Sequence, residues 1–191
     1  MEWWHLKKKS NSYILGIFIG PGVNNKNYSE VLEVPSLIKA KCTPPALPID
    51  LYNYIIVKQD SNIILCGGFI SSTFSRSSEC FLLASTGLWL RSPTIPSLTI
   101  VRSGAASALL SGTWWVTGGN NGTASSYIST EVRNVNGTWS RSVDLPYSMT
   151  SHCMVTINST HVFIGGGGFW LAEPSKYVSS PHWFWLHVSR R

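Results

Sequence analysis

The 191-residue sequence predicts an all-β fold of short strands in a repeating unit of about fifty residues. Three observations carry that prediction. Paired glycines close an apolar run at Gly67-Gly68, Gly118-Gly119 and Gly165-Gly166. Two tryptophans, Trp89 and Trp139, stand fifty residues apart. The composition, with 16 Gly and 10 Pro against a charged fraction of 13%, favours turns and strands over helices.

Each mark has a structural use. The runs Ile63-Ile64-Leu65-Cys66, Trp114-Trp115-Val116-Thr117 and Val162-Phe163-Ile164 read as buried strands. A glycine pair after such a strand permits positive φ and close approach of another backbone. A degenerate copy, Ile17-Phe18-Ile19-Gly20-Pro21-Gly22, comes first. Glu30, Glu79 and Glu131 open the next apolar stretch and read as structural acceptors for neighbouring strands or loops. Tryptophan follows as a large apolar plate, with Cys42 standing where the first copy should have it. Leu47-Pro48, Ile95-Pro96 and Leu145-Pro146 end the unit, because proline stops strand pairing. The predicted strands are 13–19 and 31–34, with a candidate at 3–6; then 51–57, 63–66, 80–83 and 88–91; then 105–110, 114–117, 128–135 and 138–141; then 153–157 and 161–164. Units fall at 1–48, 49–97, 98–147 and 148–191, with 1–12 and 169–191 as tails that the pattern does not place. The apolar run 13–20 follows Lys7-Lys8-Lys9 like a short signal-peptide core, but its place in the repeat makes it a strand.

This order of marks resembles the kelch repeat over roughly residues 13 to 168. The third unit resembles it best, through Arg102-Ser103-Gly104, the run from Trp114 to Gly119, Glu131-Val132, Trp139-Ser140 and Leu145-Pro146. The resemblance implies four-stranded antiparallel blades of a β-propeller: about two good blades and two partial ones, in an incomplete or open propeller. Uncovered end blades are expected to self-associate. His152 falls where kelch blades often place Arg or His on the first strand, which implies a packing or hydrogen-bonding role.

Chemistry is sparse. The net charge of +6 clusters only at Lys7-Lys8-Lys9 and Arg190-Arg191, so no nucleic-acid surface is expected. No apolar run approaches the roughly 20 residues of a helical membrane span. Residues 165–168 lack the Lys-Ser/Thr of a phosphate loop, and no His-Glu-x-x-His, Cys-x-x-Cys or Gly-x-Ser-x-Gly occurs. No catalytic residue, metal site or cofactor is therefore expected. Cys66 ends one predicted strand and Cys80 begins the next, so a cross-strand disulfide is available; equally, these two, Cys42 and Cys153 could all be small buried apolar residues. Candidate N-glycosylation sequons start at Asn27, Asn121, Asn136 and Asn158, all in predicted turns. Together with the cysteines they tilt the reading towards an extracellular setting. By analogy with kelch proteins, the expected function is a non-catalytic scaffold that binds a protein partner through the polar loops 69–79 and 120–127. The alternative is a fragment of a propeller enzyme such as a galactose-oxidase-like copper oxidase, for which His and Tyr are present without a telling spacing.

Overall fold

The computed structural model describes the backbone of residues 2–7, 13–19, 30–34, 38–39, 47–59, 62–122, 126–170, 177–179 and 183–187, and the side chains of 47–59, 62–122 and 126–168. Cys42, Asn27 and the Gly20-Pro21-Gly22 copy lie outside the described residues. All strand pairing is antiparallel, and no helix occurs among the described residues.

Blade one is β1 (Glu2–Lys7), β2 (Tyr13–Ile19), β3 (Glu30–Val34) and β4 (Ile38–Lys39), paired in chain order. Its first strand, only a candidate from sequence, is present. Blade two is β5 (Leu51–Tyr52), β6 (Ile55–Gln59), β7 (Asn62–Ile70), β8 (Ser75–Leu83) and β9 (Trp89–Leu90). Both β5 and β6 pair with β7, as two halves of one first strand broken at Asn53, whose φ is 54°. Blade three is β10 (Ala106–Leu110), β11 (Thr113–Thr117), β12 (Thr130–Arg133) and β13 (Trp139–Arg141). Blade four begins with β14 (Cys153–Thr156) and β15 (His161–Gly165). A ribbon of β16 (Gly168–Trp170) and β17 (Tyr177–Ser179) follows, and β18 (Trp183–His187) returns to pair with β15. Part of the unplaced tail is thus a third strand of blade four.

The glycine pairs sit where two carbonyls crowd the strand. A Cβ on Gly67 would lie 2.7 Å from Arg102 O, and one on Gly118 would lie 2.5 Å from Met149 O; each carbonyl belongs to the next blade's entry segment. The second glycines meet their own blade's entry: Gly68 at 2.9 Å from Tyr52 O, Gly119 at 2.8 Å from Ser103 O, Gly167 at 2.6 Å from Thr150 O. Two corrections follow. In blade four the positive-φ pair is Gly166 and Gly167 (72° and 80°), one residue beyond the expected Gly165-Gly166, because Gly165 still belongs to β15. In blade two Gly67-Gly68 does not end the strand: β7 bulges between Cys66 and Gly68 and runs on to Ile70, since Leu51 and Tyr52 offer it partners.

The blades register on a backbone ladder. Asn53, Gly104 and Ser151 all have positive φ (54°, 64° and 55°). Gly104 N donates to Asn53 O at 2.9 Å, and Ser151 N to Gly104 O at 2.7 Å. Leu51, Arg102 and Met149 are therefore equivalent, as are Tyr54, Ala105 and His152. His152 does not occupy the arginine position; the segment after Leu145-Pro146 is three residues shorter than that after Ile95-Pro96. Trp89 and Trp139 follow matching turns, closed by Gly87 N to Ala84 O and Gly137 N to Asn134 O, both 2.9 Å. Eight residues before each lie Phe81 and Glu131, so Glu79 is not the counterpart of Glu131. Glu79 pairs instead with the exposed Arg91.

Apolar faces close the blade junctions. Ile55, Val57, Ile64 and Cys66 of blade two pack with Trp114, Val116 and Trp139 of blade three. Trp139 meets Trp114 edge-on at 5.0 Å between ring centroids, and its indole N–H donates to Pro96 O at 2.9 Å. Trp89 packs with Leu51, Leu65 and Phe81. Ala106, Ala108, Leu110 and Trp115 pack with Met154, Val162 and Ile164 of blade four. On the far side of blade four, Val155 and Ile157 stand half exposed, although their blade-three counterparts Ala108 and Leu110 are buried.

A polar clamp lies in the junction of blades two and three. Arg102 and Glu131, both with fully buried side chains, form an ion pair at 2.8 Å. Arg102 also donates to Gly118 O (2.6 Å), Ser129 O (3.1 Å) and Ser129 Oγ (3.2 Å). Glu131 accepts from Thr99 N at 2.7 Å and from the Thr99 hydroxyl. The entry segment thus fixed to blade three also binds blade two, through Leu98 N to Ser78 O (2.9 Å) and Arg102 N to Ser77 O (3.2 Å). Fifty-one residues earlier, the positions of Thr99, Arg102 and Glu131 correspond to Pro48, Leu51 and, by the tryptophan register, Phe81. Blade two makes the joint apolar, with Leu51 and Phe81 in one core cluster. Nearby, His152 Nε2 meets Thr117 Oγ1 at 2.9 Å, while its buried Nδ1 has no partner. Burial first, and the Arg102 charge second, push the His152 pKa down to about 4.

Two outcomes test this account. Arg102→Leu leaves a buried carboxylate without its cation and is expected to cost about 3–5 kcal/mol in denaturant unfolding. Combining it with Thr99→Pro and Glu131→Phe rebuilds the blade-two joint and should restore at least half of the loss; a triple variant no more stable than the single one refutes the equivalence. Separately, unfolded chains protonate His152 near pH 6.5, whereas the folded chain resists until about pH 4. Its neutral state therefore stabilises the fold fully above pH 6.5, and this contribution, on the order of 3 kcal/mol, disappears as pH falls towards 4. Melting curves of His152→Gln between pH 7 and 4.5 should show a visibly shallower pH slope than the parent.

Candidate interaction surface

In antiparallel blades, the turns joining second to third strands collect at one end, and the remaining hairpin turns collect at the other. The first end carries the most unusual side chains. The expected polar loop 69–79 is largely strand: Phe69 pairs with Arg76 and Ile70 with Ser75 across the β7–β8 hairpin, leaving a turn of residues 71–74. Phe74, at φ 52°, closes that turn and is 81% exposed. A positive φ is uncommon for a bulky residue.

Behind it the aromatics form a cluster of tilted and edge-on rings. Phe69 lies 6.3 Å from Phe74 edge-on and 4.7 Å from Tyr52, its register partner on β5. The Arg76 guanidinium sits 4.5 Å above the Phe69 ring, a cation–π contact. Arg76 also reaches blade three: Gly122 has φ 92°, and a Cβ there would collide with the guanidinium. Its buried Nε makes no hydrogen bond. Beside the hairpin opens a recess of about 660 Å³, lined in part by Pro48, Asp50, Ser72, Arg76, Glu79 and Arg91. The recess carries both signs of charge, with Glu79 and Arg91 already paired.

The other loop at this end, 120–127, is described in part. The Tyr127 ring lies 5.5 Å from the Arg102 guanidinium carbon and covers the buried clamp. Burial raises the Tyr127 pKa, opposed by the Arg102 charge and a hydrogen bond to the Asn121 side chain. Directly beneath the hairpin, Cys66 and Cys80 are cross-strand partners and form a disulfide, with Cα atoms 4.1 Å apart. In blade three the same two positions hold Thr117 and Thr130, also register partners and both fully buried. Cys153 is a free thiol.

The structure thus gathers Cys66, Cys80, Gly67, Gly68 and Glu79 near the hairpin, and places Gly118, Gly119 and Glu131 at the clamp. Asn136 and Asn158 lie at the opposite end, in the β12–β13 and β14–β15 turns. Sequence reasoning singled out neither Phe74 nor Arg76. Their signal was an aromatic and an arginine within the otherwise small and polar stretch Ser71-Ser72-Thr73-Phe74-Ser75-Arg76. Among the described residues, no group of three or more His, Cys, Asp or Glu side chains is arranged to hold a metal ion. No described helix is long and apolar enough to cross a membrane.

No protein-family model and no curated protein matches this chain in sequence. In three dimensions it is similar to the solved structure titled "Structure of YjhT", with a TM-score of 0.62 and 12% identity, over 85% of this chain and 49% of that one. YjhT has a kelch-type β-propeller-like fold, and this chain spans about half its length. At this identity the likeness bears on fold alone, and together with the antiparallel four-stranded sheets it makes the fold all-β and propeller-like.

Proposed function

We propose that this chain is a set of kelch-type blades acting as a non-catalytic protein-interaction scaffold, with its binding surface centred on the β7–β8 hairpin. The observation that carries this reading is Phe74, exposed at the tip of a rigid hairpin and backed by Phe69, Tyr52 and Arg76. Aromatic residues and arginine dominate binding hot spots, and a preorganised side chain loses little freedom on docking. The adjoining recess gives a partner a concave edge with Asp50 and Arg76 for polar contacts.

The reading is tested by screening the folded chain against an array of extracellular domains and measuring affinity for any binder recovered. Phe74→Ala is expected to weaken that binding about thirtyfold, the scale of a hot spot, and Arg76→Ala about tenfold or more. Phe74→Ala should lower the melting temperature by no more than about 2 °C, since Phe74 buries little surface; Arg76→Ala also loses its packing on Phe69, so its affinity is measured well below its own melting point. Unchanged affinity in both variants, with loss on substituting Val135 at the opposite end, would place the binding surface elsewhere.

A further inference from the structure

Asn136 and Asn158 share one local geometry at one end of the blades. Asn136 Oδ1 accepts from Thr138 N (3.1 Å) and Thr138 Oγ1 (2.7 Å). Asn158 Oδ1 accepts from Thr160 N (2.9 Å), Thr160 Oγ1 (3.1 Å) and His161 N (2.9 Å), with His161 Nδ1 also at 3.1 Å. In both sequons the threonine two residues on holds the side-chain oxygen. The amide nitrogen has no hydrogen bond among the described residues, and both asparagines are exposed. Val135, beside Asn136, is fully exposed, so the turn has open space around it. The two turns lie at the same end of neighbouring blades; Ser111, in the β10–β11 turn, donates to Ser159 O at 2.6 Å. Asn121 differs: it lies at the hairpin end, is only half exposed, and is hydrogen bonded to Tyr127 over the clamp.

We infer that Asn136 and Asn158 are N-glycosylation sites and Asn121 is not, so that carbohydrate clothes the end of the blades opposite the β7–β8 hairpin. The buried Cys66–Cys80 disulfide is an independent observation in favour, because structural disulfides form in the oxidising compartment where this modification occurs. The co-reactant is a lipid-linked oligosaccharide pyrophosphate with N-acetylglucosamine at its reducing end. The asparagine Nδ2 forms a bond to the sugar C1, the C1–O bond to pyrophosphate breaks, and the lipid pyrophosphate leaves as the amide gives up one proton. The bulky, hydrated product suits the open turns at Asn136 and Asn158, and not a half-exposed side chain held by Tyr127. The inference does not depend on the binding role proposed above.

The test expresses the full chain behind a heterologous secretion signal in eukaryotic cells, with Asn27→Gln as background. Endoglycosidase shifts are read on the retained and secreted pools together. Two glycan steps are expected; Asn136→Gln and Asn158→Gln should each remove one, and Asn121→Gln none. Peptide mapping after enzymatic release should find Asp at 136 and 158 and Asn at 121. A bare Asn136 or Asn158, or a glycan on Asn121, overturns the inference.

Discussion

Burial of the Arg102 guanidinium against Glu131 is the constraint around which the junction of blades two and three is arranged. A cation with no exposure must find acceptors already in place. They come from the end of β11 at Gly118, the approach to β12 at Ser129, and β12 itself at Glu131. Gly118 serves twice: its carbonyl accepts from Arg102, while its missing Cβ admits the carbonyl of Met149 from the next blade. The linker, two strands and the following blade are thereby held by one set of bonds. Blade two builds its joint from Leu51 and Phe81, so charge is not what a blade requires. What the ion pair adds is direction, since each of its hydrogen bonds accepts a narrow range of geometry where an apolar contact accepts many.

The parts legible in the sequence were those written in backbone necessity. Gly118-Gly119 recurs because carbonyl crowding recurs, and Trp139 fills the wedge between blades two and three, whereas Trp89 packs within blade two on Leu51, Leu65 and Phe81. Less legible were features whose register depends on chain length between marks. The segment after Ile95-Pro96 is three residues longer than those after Leu47-Pro48 and Leu145-Pro146, so counting from proline placed His152 where the structure has Met149. Glu79 resembles Glu131 as a letter, yet the count from tryptophan lands on Phe81. The hairpin was hidden for another reason. Ser75, Ser77 and Ser78 read as loop, but pairing of β8 with β7 makes them strand, and only residues 71–74 turn. Phe74 belongs to no repeat, so no periodicity could announce it.

Equivalent positions are filled by different chemistry from blade to blade. Cys66 and Cys80 cross-link the site that Thr117 and Thr130 fill with hydroxyls. The disulfide locks the strands immediately below the hairpin that carries Phe74, whereas blade three meets its neighbour through Thr117, hydrogen bonded to His152. The fold tolerates covalent, ionic and apolar solutions because the backbone frame, not the side chain, defines each position.

The ladder from Asn53 through Gly104 to Ser151 belongs to that frame, and it bears on mechanics. Each rung is one amide bonded to the carbonyl of the preceding blade, and each rung residue is held at positive φ. The middle residue, Gly104, is donor to one blade and acceptor from the other, through the two peptide units that flank its Cα. A rotation of the backbone at Gly104 therefore disturbs one bond to each neighbouring blade. Amide exchange at Gly104 accordingly reports the opening of the junction between blades two and three, and exchange at Ser151 that between blades three and four, rather than the fraying of a single sheet.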